Sequence, residues 1–128
     1  MYIRKFFGTR TFKHGFRVNG THTPDLNTVF EPSGELNGFP VYRAVGGEAG
    51  MYYNPTTSKW LTLPTYTLED AIKTLCNASS LAVDDGRLSV GEQAWSCWID
   101  STWQDRSVTI TALTAAEMNL AKEAAAGR

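Results

Sequence analysis

Leu36-Asn37-Gly38-Phe39-Pro40-Val41-Tyr42-Arg43-Ala44-Val45 points to an antiparallel β fold. Asn-Gly is the pair best suited to the positive φ angles of a two-residue hairpin turn, and Phe39, Val41 and Tyr42 are strand formers that follow it directly. Gly46-Gly47 ends the segment. Met51-Tyr52-Tyr53, a turn at Asn54-Pro55 and Lys59-Trp60-Leu61-Thr62-Leu63 then repeat the pattern. Three strands within about 30 residues leave no room for crossover connections, so neighbours pair locally and antiparallel.

Upstream, Phe16-Arg17-Val18 reads as a short strand running into Asn19-Gly20, which marks a hairpin or a strand exit. Thr21 to Thr28 is polar and contains Pro24, a loop; Val29-Phe30 is extended until Pro32 and Gly34 interrupt it. Downstream, Thr67 is a helix cap followed by acids, and Leu68, Ala71, Ile72 and Leu75 follow helical spacing, enough for one short helix packed on a sheet face. Asp84-Asp85-Gly86 is a turn. Leu88-Ser89-Val90, Ala94 to Ile99 and Ser107 to Thr111 read as strands, and in the last Val108 and Ile110 share one face. Thr114-Ala115-Ala116-Glu117 is a capping box that opens an alanine-rich helix with little surface to bury, so its docking is expected to be weak unless it meets another chain.

The expected fold is mainly β: an antiparallel meander sheet or small barrel of about six strands, with one short internal helix and a C-terminal helix. Its divisions are a basic aromatic arm over 1–16, a β-rich domain over 17–112 and the alanine-rich helix over 113–128. Val41, Trp60, Ile72, Trp95, Val108 and Ile110 are the core candidates.

Among the 128 residues 42% are apolar and 20% charged, a balance that sets aside disordered, collagen-like and coiled-coil architectures. No apolar run approaches the roughly 20 residues of a membrane-spanning helix, so an integral membrane protein is not expected. Net charge is −1, yet it is polarised. Arg4, Lys5, Arg10, Lys13 and Arg17 precede the first acid, Asp25; the other seven basic residues face thirteen acids, which leaves −6 on residues 18–128. Such an arm suits an acidic protein or an anionic membrane surface, and no specific nucleic-acid motif accompanies it. A solvated tail, or the remnant of an Arg-rich organelle-targeting segment, has the same composition.

Catalytic and metal chemistry find little footing. Cys76 and Cys97 lie 21 positions apart with no Cys-x-x-Cys pair, which argues against zinc and fits two free thiols better than a disulfide. His14 and His22 stand in loop or strand-edge sequence near no metal-ligand partner. Asp84-Asp85 supplies too few oxygens for calcium. No cofactor, metal or catalytic residue is expected. The aromatics are the unusual resource: Trp60, Trp95, Trp98 and Trp103 with Tyr42, Tyr52 and Tyr53. About three quarters of them belong in the core of so small a β domain. Trp95 and Trp98, three positions apart, point to opposite faces of a regular strand, so if one is core the other is exposed or sits at a bulge. Tyr52, Trp98 and Trp103 are the candidate aromatic ligand contacts, for a protein partner or for the faces of sugar rings.

Asn19-Gly20-x-x-x-Pro24, then Glu31-Pro32-x-Gly34-Glu35-x-Asn37-Gly38-x-Pro40-x-Tyr42, then Tyr52-Tyr53, Trp60 and Trp95 before a Val/Ile-rich strand, carry a family resemblance in their order and spacing. The pattern resembles a small modular domain of algal, oomycete and other protist proteins. It spans roughly residues 17–111, by strand placement. That resemblance implies a β-rich fold without a known catalytic centre, found beside other domains or as a separate small protein. The chain departs from it with His22 where an aromatic is common, with Asp25 to Phe30 splitting the first two turns, and with the helix at Leu68 to Cys76.

The expected function is a non-catalytic protein-interaction module, an accessory or linker subunit of a larger assembly; the resemblance extends this to an algal organellar or photosynthetic membrane complex. The sequence does not fix the compartment; a plastid or the cytoplasm, with the protein soluble or peripheral to a membrane, is the expected range. Left exposed, the arm's four phenylalanines, Phe6, Phe7, Phe12 and Phe16, would be adhesive on a soluble monomer. Arg4, Lys5, Phe6, Phe7, Arg10 and Phe12 are therefore the expected partner-binding residues, docked on a neighbour. The alternative is a carbohydrate-binding module using exposed Trp and Tyr rings.

Overall fold

The computed structural model describes residues 12–83 and 86–127. Eight strands follow one another along the chain: β1 (Phe16–Asn19), β2 (Val29–Leu36), β3 (Phe39–Ala44), β4 (Gly50–Asn54), β5 (Lys59–Leu63), β6 (Ala78–Ser79), β7 (Gly91–Ile99) and β8 (Thr102–Ala112). Each is antiparallel to the next. Because β8 returns to β1, with Phe16 opposite Ala112 and Val18 opposite Ile110, the sheet closes into an up-and-down barrel.

The two side-chain faces of the strands divide the apolar residues into two clusters. Phe16, Val18, Phe30, Tyr42, Met51, Tyr53, Trp60, Trp95, Cys97, Val108 and Ile110 fill the interior. Val41, Tyr52, Leu61 and Leu63 form a second cluster with Ala71, on the outer surface of β3 to β5. The outer cluster is covered by helix α1 (Leu68–Ile72), capped by Thr67, whose hydroxyl accepts from the Asp70 N–H at 3.1 Å. Burial on both faces explains why Met51-Tyr52-Tyr53 is continuously apolar instead of alternating. Asn37 (φ 55°) and Gly38 (φ 81°) make the tight β2–β3 turn that their sequence demands.

The barrel has eight strands, where about six were expected. β6 is two residues long and carries no strand signal of its own, and β8 starts five residues before Ser107 because Thr102 to Arg106, a mostly polar run, pair with Ile99 to Trp95 of β7. Leu88-Ser89-Val90 is no strand, although Leu88 enters the core. Five of the six core candidates are buried; Ile72 is 66% exposed, since α1 contacts the barrel through Ala71 and turns Leu68 and Ile72 to solvent, as Leu75 after it also is.

The ends of the domain also differ from expectation. Phe12, expected on a partner, is 2% exposed. It stands edge-on to Phe16 at 4.8 Å, and Phe16 stacks on Phe30 at 5.5 Å. The interior therefore extends into the segment assigned to the arm, because closing β1 against β8 turns those rings inward. Arg4, Lys5, Phe6, Phe7 and Arg10 lie outside the described residues. The C-terminal helix α2 (Ala115–Ala126) opens with the expected capping box. It meets the barrel through buried Met118, through Lys122 bonded to Glu31 at 2.9 Å and through Ala125 beside Gly46.

Candidate protein interface

The β7–β8 hairpin carries the candidate site. Asp100 (φ 50°) and Ser101 (φ 67°) form a two-residue turn in the left-handed region without a glycine. In such a turn the closing pair, Ile99 and Thr102, exchanges main-chain hydrogen bonds, and pairs alternate from there. Trp98 and Trp103 are thus a non-hydrogen-bonded pair, the class in which side chains approach most closely. The Trp98 N–H confirms the parity: it points away from β8 and donates to the Asn77 carbonyl at 2.9 Å.

Both indoles stand on the outer surface, 46% and 49% exposed, with ring centroids 5.3 Å apart at an interplanar angle of 62°. Trp95, three residues before Trp98, is 1% exposed, as strand alternation requires. The inner-facing Cys97 and Ile99 are buried, so the ribbon is anchored on one side while the tryptophan pair faces water on the other.

Beyond the barrel wall β8 is an edge. β1 pairs with it only from Thr109 to Ala112, and Gly20 approaches the Ser107 carbonyl. Every residue from Thr102 to Ser107 is exposed. By the same parity, the main-chain N–H and C=O of Trp103 and Asp105 point away from β7, and among the described residues none pairs with them. Exposed charge here is mostly acidic: Glu92, Asp100 and Asp105 against Arg106. Ser107 Oγ donates to Glu92 on the outer face.

Tyr52, the third aromatic candidate, is not part of this surface. It is 1% exposed under α1, where its hydroxyl donates to the Leu75 carbonyl and burial pushes its pKa up. Alternation put it on the outside of the barrel and α1 then covered it. Trp98 and Trp103 are brought together as a pair, which spacing alone did not announce because the turn between them lacks Asn-Gly.

Cys97 lies in the interior and Cys76 packs on the outer cluster, both as free thiols, with burial raising the Cys76 pKa. His14 and His22 are exposed. Among the described residues no three His, Cys, Asp or Glu are grouped to hold a metal ion. Asp84 and Asp85 lie outside the described residues. A cleft of about 480 Å³ at one end of the barrel is lined by polar backbone, Asp25 and Glu48, with no His, Cys or Lys among its walls. No family model, curated protein or solved structure matches the chain.

Proposed function

We propose that this barrel is a non-catalytic protein-interaction module, an accessory or linking subunit that docks through the outer face of the β7–β8 hairpin. The observation that carries the reading is the Trp98–Trp103 pair, two large exposed rings on a hairpin whose β7 strand is anchored in the core through Trp95, Cys97 and Ile99. Tryptophan is the residue most enriched among interface anchors, because it buries much area at little conformational cost. A protein surface accommodates two rings at 62°, whereas stacking on a sugar chain calls for rings in one plane. The resemblance to modular protist domains supports the same role and suggests an organellar assembly as its setting.

The test is affinity capture with the intact chain and with Trp98→Ser/Trp103→Ser, followed by identification of stoichiometric partners. The wild-type chain is expected to retain a protein partner that the double variant loses while keeping its native circular dichroism. Equal recovery by both would move the contact elsewhere. Binding on a glycan array that the double variant loses would replace the protein reading with the carbohydrate one.

A further inference from the structure

We infer that the free edge of β8 from Thr102 to Arg106 accepts an extended segment of the partner protein as an added antiparallel strand, and that it selects a basic residue followed two positions later by an aromatic or large aliphatic one. This rests on the protein-binding reading above and specifies its chemistry.

Geometry supplies the first half of the argument. Trp103 and Asp105 each present an outward main-chain N–H and C=O with no partner among the described residues. An unpaired row of this kind is a template for strand addition, in which main-chain bonds give affinity and alternate side chains give specificity. The barrel cannot fill the position with β1, which pairs only with Thr109 to Ala112.

Charge and pleat supply the second half. Trp103, Asp105 and Ser107 lie on the outer face, where Glu92 joins them and Arg106 does not, being on the opposite face. A strand added antiparallel places one residue opposite Asp105 and, two positions later, another opposite Trp103. Lysine or arginine satisfies the first position and a large apolar side chain the second, against the indole pair. Glutamate at the first position would stand against Asp105 and Glu92.

The probe is a capped synthetic peptide, lysine-threonine-phenylalanine flanked by two threonines at each end, titrated into the intact chain by NMR at low salt. Expected are shifts of the Trp103 and Asp105 amides, a loss of about tenfold or more in affinity when glutamate replaces lysine, and loss of binding when the peptide backbone is N-methylated. Asp105→Lys should reverse the lysine-over-glutamate preference. Asp105→Pro removes only an outward donor, which edge strands tolerate, and should abolish binding with Trp98 and Trp103 intact. Peptide that fails to bind, or that binds Asp105→Pro or N-methylated backbone undiminished, overturns strand addition and leaves the tryptophan-docking test above to stand or fall separately. A dimer of the free chain that Asp105→Pro converts to monomer would assign the edge to a second copy and overturn the proposal.

Discussion

Tyr53 faces Trp60 directly across the β4–β5 ladder, with ring centroids 5.4 Å apart, and its hydroxyl donates a 2.7 Å hydrogen bond to the Val83 carbonyl thirty residues further on. One aromatic pair thus ties the central hairpin to the segment that leads towards β7. The pair stands in the middle of the interior cluster, with Tyr42 also 5.7 Å from Trp60.

Trp60 is 1% exposed, and Trp60→Ala should cost about 3–5 kcal/mol, read as a shift of the urea midpoint at unchanged slope. Among the described residues its indole N–H has no hydrogen-bond partner. Trp60→Phe, which removes that buried donor together with some volume, should therefore cost clearly less. A loss below about 1 kcal/mol for the alanine variant would contradict the interior placement.

Gly50 and Gly47 should respond oppositely to the same change. A Cβ at Gly50 would collide with the Tyr66 side chain, which lies over the strand and is stacked on by the Arg43 guanidinium at 4.9 Å. At Gly47 the nearest atom is 3.5 Å away, an ordinary contact. Gly50→Ala is expected to destabilise by about 1–3 kcal/mol through overpacking, and Gly47→Ala to leave the thermal midpoint nearly unchanged. Equal effects would show that Tyr66 does not hold its place over Gly50.

The α2 cap makes stability at the C-terminal end depend on pH. Glu117 Oε1 accepts from the Thr114 N–H at 2.8 Å, and the Thr114 hydroxyl accepts from the Glu117 N–H at 3.1 Å. Hydrogen bonding to the Thr114 backbone, then to its side chain, holds the Glu117 carboxyl below its usual pKa. A group depressed in the folded state contributes above its unfolded pKa, and the contribution is lost as pH falls through the lower folded value. Amide protection at the start of α2 should accordingly fall on acidification through the carboxylate range, and Glu117→Gln should remove the component of that fall due to this carboxyl. Thr114→Ala should cost the helix about 1 kcal/mol. A wild-type acid profile identical to that of Glu117→Gln would rule the cap out as its source.

The tryptophan pair should matter far more to binding than to folding. Both rings are about half exposed, so Trp98→Ser or Trp103→Ser removes an edge-to-face contact of about 0.5–1.5 kcal/mol plus modest apolar burial. Denaturant unfolding of each single variant is the measurement. A loss above about 3 kcal/mol would make the pair a structural staple of the hairpin.

Much of this barrel was legible before its structure. Asn37-Gly38 announced a turn because few other residues tolerate two successive positive φ angles. Val108 and Ile110 announced an inward face by alternating with Ser107, Thr109 and Thr111, and the opposite facing of Trp95 and Trp98 follows from the same pleat. Ile72 misled, since helical spacing marks an apolar stripe without saying how much of it the sheet is wide enough to cover. The Asp100-Ser101 turn escaped notice because neither residue demands the conformation that the hairpin imposes on it.

Local preference along the chain accounts for the β class, the antiparallel order of close neighbours, the capping box of α2 and most of the buried aromatics. Closure came from tertiary pairing, because joining β8 to β1 sets Phe16 opposite Ala112, 96 positions away, and no local pattern encodes that distance. Closure in turn drew Phe12 inward, and because β1 is shorter than β8 it left Thr102 to Arg106, which carry Trp103 opposite Trp98, without a pairing strand among the described residues.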